Sequence, residues 1–206
     1  MSQRHSFSQE EVHCLANTDF FRTKAKITLQ VRKILEELHE HLKSELTGLD
    51  LVVPQNFRPD AMQFVKGEHL EDFPYQYLDY PRHFTREEKF AFRSLLWWGH
   101  HMVFSLILEG PHIRRYKENL INHWTVIADH DIHLCLSPSL WEWKYGPGYT
   151  MELTNDRKSQ TAAVLAHRSS LKLACFIPLT DPILQSGLVI ETGHAAFRTM
   201  LPIILP

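Results

Sequence analysis

Acidic and histidine side chains in the third quarter of the chain have the types and spacing to do chemistry. One residue separates Asp131 from His133, and Glu142 and Lys144 follow shortly after with the same spacing. Alternate residues of a strand share a face, so two carboxylates could hold a divalent ion while the lysine polarises an attacking water. This pattern predicts a metal-dependent hydrolase, a nuclease or phosphoesterase using Asp131, Glu142 and Lys144 with His133 nearby. The alternative is an ordinary surface strand on which charges alternate with aromatics.

Four histidines offer a second site. His100 and His101 are adjacent, so on a strand at most one of them can join a given site. A transition-metal site would form if two strands brought His101 beside His133, with Asp131 orienting the His133 imidazole. No known zinc-ligand spacing accompanies them. The alternative is that one histidine of each pair is solvated and the other is hydrogen-bonded in or near the core.

Aromatic residues suggest a third site, for a ligand. Trp141, Trp143 and Tyr145 precede a Gly-Pro-Gly turn, and on a strand Trp141 and Trp143 would share a face. Such residues can line a pocket for a flat ligand, or simply pack a half-buried sheet. Trp97 and Trp98 point to opposite faces, which predicts that one of them lies in the core. The ligand-binding candidates are therefore His101, His133, Trp141, Trp143 and Tyr145.

The composition narrows the class of protein. The chain has 206 residues, of which 44% are hydrophobic and 22% are charged, as in a folded globular domain. A net charge of −2 gives no basic excess, so nucleic acid is not the expected partner. Three cysteines without a CxxC pair, and no apolar leader, predict a cytoplasmic protein. Residues 94–108 are uncharged but shorter than the ~20 residues of a membrane span, and they predict buried strands.

The elements that must position these residues follow from periodicity and capping. Ser8 to Glu11 form a capping box, and a long amphipathic stripe then runs to Gly48. Residues 84–109 favour two long strands bent near Gly99, although a helix over 84–98 stays open. Further strands are predicted at residues 51–53, 61–65, 75–80, 132–136 and 171–178, and further helices at 113–127, 154–169 and 189–204. Prolines flank residues 75–80, which predicts an edge strand that could bind an anion or a partner chain.

The predicted helices and strands do not follow the regular βαβ alternation of a parallel sheet. They predict one α+β domain over residues 1–206, with a mainly antiparallel sheet flanked by helices, a long N-terminal helix and a C-terminal helix.

Several segments resemble the YktB-like family of uncharacterised bacterial proteins. They are FSQEEV, FRPDAMQF, WWGHHMVFSLILEGP, LKLACFIPLTDPIL and AFRTMLP. The histidine- and arginine-rich stretch of that family is missing after Val53, where only Arg58 appears. The resemblance implies an α+β fold with an antiparallel sheet wrapped by helices. It implies no activity and transfers no functional residues.

No strong catalytic signature occurs: the phosphate loop, GxGxxG, GxSxG and HExxH are all missing. No cofactor can be named. The sequence therefore favours a module that binds a small molecule or a protein partner, with the metal-dependent hydrolase as the alternative. It also leaves a homo-oligomer open.

Overall fold

The computed structural model describes residues 6–206 and contains one seven-stranded antiparallel sheet. The strands are β1 (Gln63–Leu70), β2 (Phe73–Phe84), β3 (Lys89–Trp97), β4 (His101–Glu109), β5 (His133–Cys135), β6 (Thr150–Glu152) and β7 (Ser170–Pro178). Their order is β1-β2-β3-β4-β7-β5-β6. The first four strands form a meander, and β7 then inserts between β4 and β5.

The helices of residues 6–206 are α1 (Gln9–Leu15), α2 (Thr18–Leu46), α3 (Ile113–Asn122), α4 (Trp124–Ile127), α5 (Lys158–Ala166), α6 (Ile183–Ser186) and α7 (Val189–Met200), with short 3-10 helices at Asn155–Arg157 and Leu201–Ile203. Those that pack on the sheet lie along one face of it, whereas α1 has no buried residue. The second half of α2 buries the stripe Val31, Leu35, Leu38 and Leu42. Close approach of α7 to β4 requires a glycine, since a Cβ at Gly193 would lie 2.6 Å from the Phe104 ring.

The predicted α+β architecture is confirmed, including the long N-terminal helix and the C-terminal helix. Ser8 and Glu11 form the capping box at the start of α1. Residues 84–98 contain no helix: Phe84 ends β2, residues 85–88 form a turn, and residues 89–97 are β3, which forms a hairpin with β4 through a turn that contains Gly99 at φ +75°. Trp97 is buried and Trp98 is partly exposed, as the alternation predicted.

The prediction of an edge strand at residues 75–80 is wrong. These residues belong to β2, which pairs with β1 on one side and β3 on the other. Pro81 is tolerated inside the sheet because the β2–β3 register shifts between Asp79 and Arg82, where the ladder needs no donor. The edge strands are β1 and β6. β1 begins at Gln63 rather than at residue 61 and continues to Leu70.

The prediction of a strand at residues 51–53 is also wrong. The Val52 amide donates to the Ile204 carbonyl at 2.8 Å, and the Val52 carbonyl accepts from the Tyr116 hydroxyl at 2.9 Å. The C-terminal segment and α3 therefore satisfy this backbone, and no neighbouring strand is needed.

Three predicted helices are shorter than expected. The stripe over residues 113–127 is divided at His123 into α3 and α4. The helix predicted over 154–169 begins with a 3-10 turn and ends at Ala166. The closing helix ends at Met200, where Pro202 follows in a 3-10 turn. No helix in residues 6–206 is both long and apolar enough to cross a membrane.

Candidate functional site

The sheet face opposite the helices carries the candidate site. Its buried side chains form a separate apolar cluster that includes Leu95, Trp97, Val103, Trp143 and Phe176, and that takes no residue from a helix. The loop of residues 136–149, called here the covering loop, lies over part of this face and contributes Leu140 and Trp143. We call this surface the helix-free face.

A buried ion pair lies on the helix-free face. Asp79 and Arg93 stand opposite each other on β2 and β3, and Arg93 donates to both carboxylate oxygens, from Nε and from Nη2, at 2.7 Å each. Burial raises the pKa of the Asp79 carboxyl, and the hydrogen bonds from Arg93 oppose that rise. Arginine stays protonated in proteins, so the Arg93 guanidinium is a buried positive charge. The bidentate pair with the Asp79 carboxylate is the arrangement that makes its burial tolerable.

Aromatic rings surround the Arg93 guanidinium. Its central carbon lies 3.8 Å from the Tyr77 ring centroid, 5.2 Å from that of Trp141 and 5.5 Å from that of Trp143. Together these groups line a recess of about 190 Å³. The remaining lining residues are Leu70, Tyr75 and Leu95. The recess thus combines flat apolar walls with one cation.

Tyr75 can lie against the edge of the recess because β1 has a glycine beside it. Gly67 pairs with Tyr75 across β1 and β2, and a Cβ at Gly67 would lie 2.4 Å from the Tyr75 ring. The Tyr75 ring in turn stacks on Tyr77 with centroids 6.0 Å apart and an interplanar angle of 8°. The glycine therefore helps to position one wall of the recess.

Lys172 holds the covering loop onto the sheet. It is 3% exposed, and its Nζ donates to the Leu140 carbonyl at 3.0 Å and to the Glu142 carbonyl at 2.6 Å. The same ammonium lies 3.4 Å from the Trp143 ring centroid, a cation–π contact. Burial lowers the pKa of Lys172 to about 8. Since the loop carries Trp141 and Trp143, Lys172 also fixes the outer wall of the recess.

His101 and His133 both lie on the helix-free face, each beside Phe176. The Phe176 ring centroid is 5.0 Å from that of His101 and 6.0 Å from that of His133, and Tyr145 lies 5.2 Å from His133. Burial lowers the pKa of His101 to about 4, so its imidazole is neutral at neutral pH. The sequence-predicted ligand residues thus share one face, and the Phe176 ring lies beside both imidazoles.

The residues predicted for metal-dependent hydrolysis have other neighbours. Glu142 and Lys144 lie in the covering loop rather than on a strand: a Glu142 carboxylate oxygen accepts from the Lys144 amide at 3.0 Å, and Lys144 Nζ pairs with Glu71 at 2.9 Å. Asp131 lies 3.8 Å from His133 and 3.8 Å from the Cys175 sulfur. Within residues 6–206, no three His, Cys, Asp or Glu side chains are grouped so that they could hold a metal ion. The hydrolase stays a prediction to which this geometry lends no support.

Three charged residues of the site were not predicted from the sequence: Asp79, Arg93 and Lys172. Each stands alone among apolar residues of a strand, in YLDYP, FAFRSLLW and LKLACF. Charged side chains are almost never fully buried unless they are paired. A lone charged residue inside an apolar strand therefore predicts a buried partner. This pattern in the sequence could have indicated the three residues.

Comparison with protein-family models, with curated proteins and with solved structures finds no significant match for this chain. The resemblance to the YktB-like family therefore stays a prediction.

Proposed function

We propose that this protein is a binding module whose helix-free face takes a planar aromatic ring carrying an anionic group. The observation behind the proposal is the recess that Tyr77, Trp141 and Trp143 form around the Arg93 guanidinium. Flat apolar walls favour stacking, and base–aromatic and similar stacks contribute about 1–3 kcal/mol.

The size of the recess limits the ligand. Pockets that enclose whole drug-sized ligands have about 300–1,000 Å³, whereas this recess has about 190 Å³. It therefore fits one ring, or two fused rings, of a small molecule rather than a complete cofactor.

The charges around the recess favour an anion. Arg93 and Lys172 place two cations beneath the helix-free face, against the single buried carboxylate of Asp79. Two guanidinium nitrogens serve Asp79, and Nη1 donates to no residue in the described part of the chain. A carboxylate on the ring can accept from this nitrogen, which is the charge-assisted hydrogen bond that arginine makes best.

We further propose that the protein works in a reducing, cytoplasmic compartment. Cys135 and Cys175 are buried free thiols, and Cys14 is an exposed one. Free thiols persist where glutathione and thioredoxin keep them reduced.

Fluorescence titration tests the binding proposal. Benzoate and indole-3-carboxylate should quench tryptophan emission saturably, and cyclohexanecarboxylate, with the same charge but no flat ring, should bind much more weakly. Trp141→Ala should reduce the affinity at least fivefold, the loss expected for a stack of about 1 kcal/mol. The control Trp98→Ala changes a tryptophan on the opposite face and should leave the affinity unchanged. Equal affinities for all three carboxylates would contradict the proposal.

A further inference from the structure

The N-terminal part of the chain forms a helical arm, residues 7–30, that the rest of the molecule does not cover. No residue from 6 to 30 is buried, and only Lys24 and Thr28 are even partly so. Helices in proteins draw most of their stability from packing an amphipathic face, and α1 has only seven residues. An uncovered arm of this length therefore lacks the contacts that normally hold a helix.

The arm exposes a large apolar surface. Its large apolar side chains are between 36% and 72% exposed; they are Phe7, Val12, Leu15, Phe20, Phe21, Ile27 and Leu29. At ~150–200 Å² for a whole large side chain, the exposed part amounts to about 600–750 Å². A stable interface buries about 800 Å² on each partner, so the side of the arm that faces a partner supplies a substantial part of such an interface.

An apolar groove continues from the arm on the helix-covered side of the sheet. It has a volume of about 330 Å³, and Ile27 belongs both to the arm and to the groove. Its other walls include Trp98 after β3, Leu184 of α6 and Val189 of α7. The groove accepts one turn or more of an apolar helix face. The α1 helix of the same chain has no buried residue, which shows that it does not enter the groove.

The charges of the arm match those beside the groove. Lys26 and Lys33 are one helical turn from Gln30, which lines the groove, and neither forms an ion pair within residues 6–206. On α1, Glu11 is one turn from Leu15 and next to Val12. When a copy of α1 lies in the groove by its Val12–Leu15 face, Glu11 is at the edge of the contact, where its carboxylate, which also accepts from the Ser8 amide, can approach these lysines.

We propose that two copies of this chain form a two-fold dimer in which the α1 helix of each lies in the groove of the other. The contact is self-complementary, since each copy supplies one arm and one groove, as an isologous interface requires. The groove lies on the sheet face opposite the ligand recess, so this proposal stands or falls independently of the proposed function.

Sedimentation velocity on the full chain over a wide concentration range tests the dimer. We expect a species of twice 24.2 kDa that dissociates on dilution. The double variant Val12→Asp, Leu15→Asp should remain monomeric at every concentration. The matched control Val126→Asp changes an equally exposed apolar residue on α4 and should dimerise like the original chain. All three residues are exposed, so at protein concentrations low enough for the original chain to be monomeric, the circular dichroism and thermal unfolding of the variants should match those of the original chain. A wild-type monomer throughout, or a double variant that still dimerises, would overturn the proposal.

Disulfide capture tests the geometry. Cys14 is exposed on α1 but lies on the side of that helix away from Val12 and Leu15, so it is first replaced by serine; Cys135 and Cys175 are buried. With Leu15→Cys on α1 and Ile27→Cys in the groove, mild oxidation of the Cys14→Ser chain should produce a covalent dimer whose peptides join position 15 to position 27 of the other copy. The control with Leu15→Cys and Val126→Cys should give no link between positions 15 and 126. A dimer linked only through position 15 of both copies would overturn the proposed placement of α1.

Discussion

At position 93 an arginine occupies the middle of β3, among neighbours that are almost all buried and apolar. Its charge is balanced by Asp79 on the adjacent strand, and its planar group is covered by Tyr77 and by the two tryptophans of the covering loop. One side chain thus joins the sheet, the loop and the recess. We expect changes at this residue to affect stability and binding together.

Breaking the buried pair should be costly. Arg93→Met leaves the Asp79 carboxylate buried without its partner, and we expect a loss of about 3–5 kcal/mol in the free energy of unfolding. Adding Asp79→Leu should recover much of that loss, because the unpaired charge is then gone. Urea unfolding followed by circular dichroism measures both variants.

A surface pair provides the control. Arg114 pairs with Glu118 one turn along α3, with the arginine side chain 89% exposed. Arg114→Met should leave the unfolding midpoint unchanged, since exposed pairs contribute little. Equal effects at positions 93 and 114 would contradict the role of burial.

His101 should make stability depend on pH below neutrality. The folded protein binds a proton at His101 only near pH 4, because burial lowers the pKa, while the unfolded chain binds it near 6.5. Between these values the unfolded state holds more protons, so stability falls as pH falls from 6.5 towards 4. The contribution amounts to at most about 3 kcal/mol.

The variant His101→Phe checks this prediction. Phenylalanine fits the neighbourhood, since Trp97 and Phe176 already contact the imidazole. Thermal unfolding at a series of pH values should show a shallower loss of stability for the variant than for the original chain. Parallel curves would mean that other groups cause the acid sensitivity.

At the scale of elements, the covering loop is the segment that makes the helix-free face a site rather than a bare sheet. One buried and one partly buried cation hold its backbone: Lys172 donates to the carbonyls of Leu140 and Glu142, and Arg168 donates to that of Leu136 and to that of Cys135 at the end of β5. The position of the loop therefore depends on side chains that lie on β7 and just before it.

Removing the Lys172 ammonium should release the loop. In Lys172→Met the carbonyls of Leu140 and Glu142 lose their donor, so backbone amides of residues 136–149 should exchange with solvent much faster, while those of β3 and β4 keep their protection. Hydrogen-exchange mass spectrometry measures both regions. The control Lys144→Met removes a half-exposed lysine of the same loop, and its exchange should match that of the original chain. Unchanged exchange in the Lys172 variant would contradict the anchoring role.

At the scale of the whole molecule, the elements with strong local periodicity could be predicted from the sequence. The stripe of α2, the β3–β4 hairpin at Gly99 and the C-terminal helix are local patterns, and each is present. The strand order could not be predicted, because pairing joins residues that are distant in the sequence. Prolines beside residues 75–80 suggested an edge, whereas the edge on that side is β1, of which the sequence predicted only the beginning, in the strand at residues 61–65.

In the candidate site, too, local features could be predicted from the sequence, whereas contacts between distant residues could not. His101, His133, Trp141, Trp143 and Tyr145 were predicted as candidates by residue type, and the structure places all of them on the helix-free face. The pairing of Asp79 with Arg93 and the anchoring of the covering loop by Lys172 depend on strand register. The chemistry of the recess was therefore hidden until β2, β3 and β7 were in position.

We propose that the recess around Arg93 binds a flat anionic ring. A two-dimensional ¹H–¹⁵N NMR spectrum of the tryptophan indole N–H groups tests most directly where the ring binds. The chain has five tryptophans, so five indole signals report on distinct places. On titration with indole-3-carboxylate, the signals of Trp141 and Trp143 should shift saturably, and those of Trp98 and Trp124 on the opposite side of the sheet should stay in place. Saturable shifts confined to Trp98 or Trp124, or no shift of Trp141 and Trp143, would contradict the account.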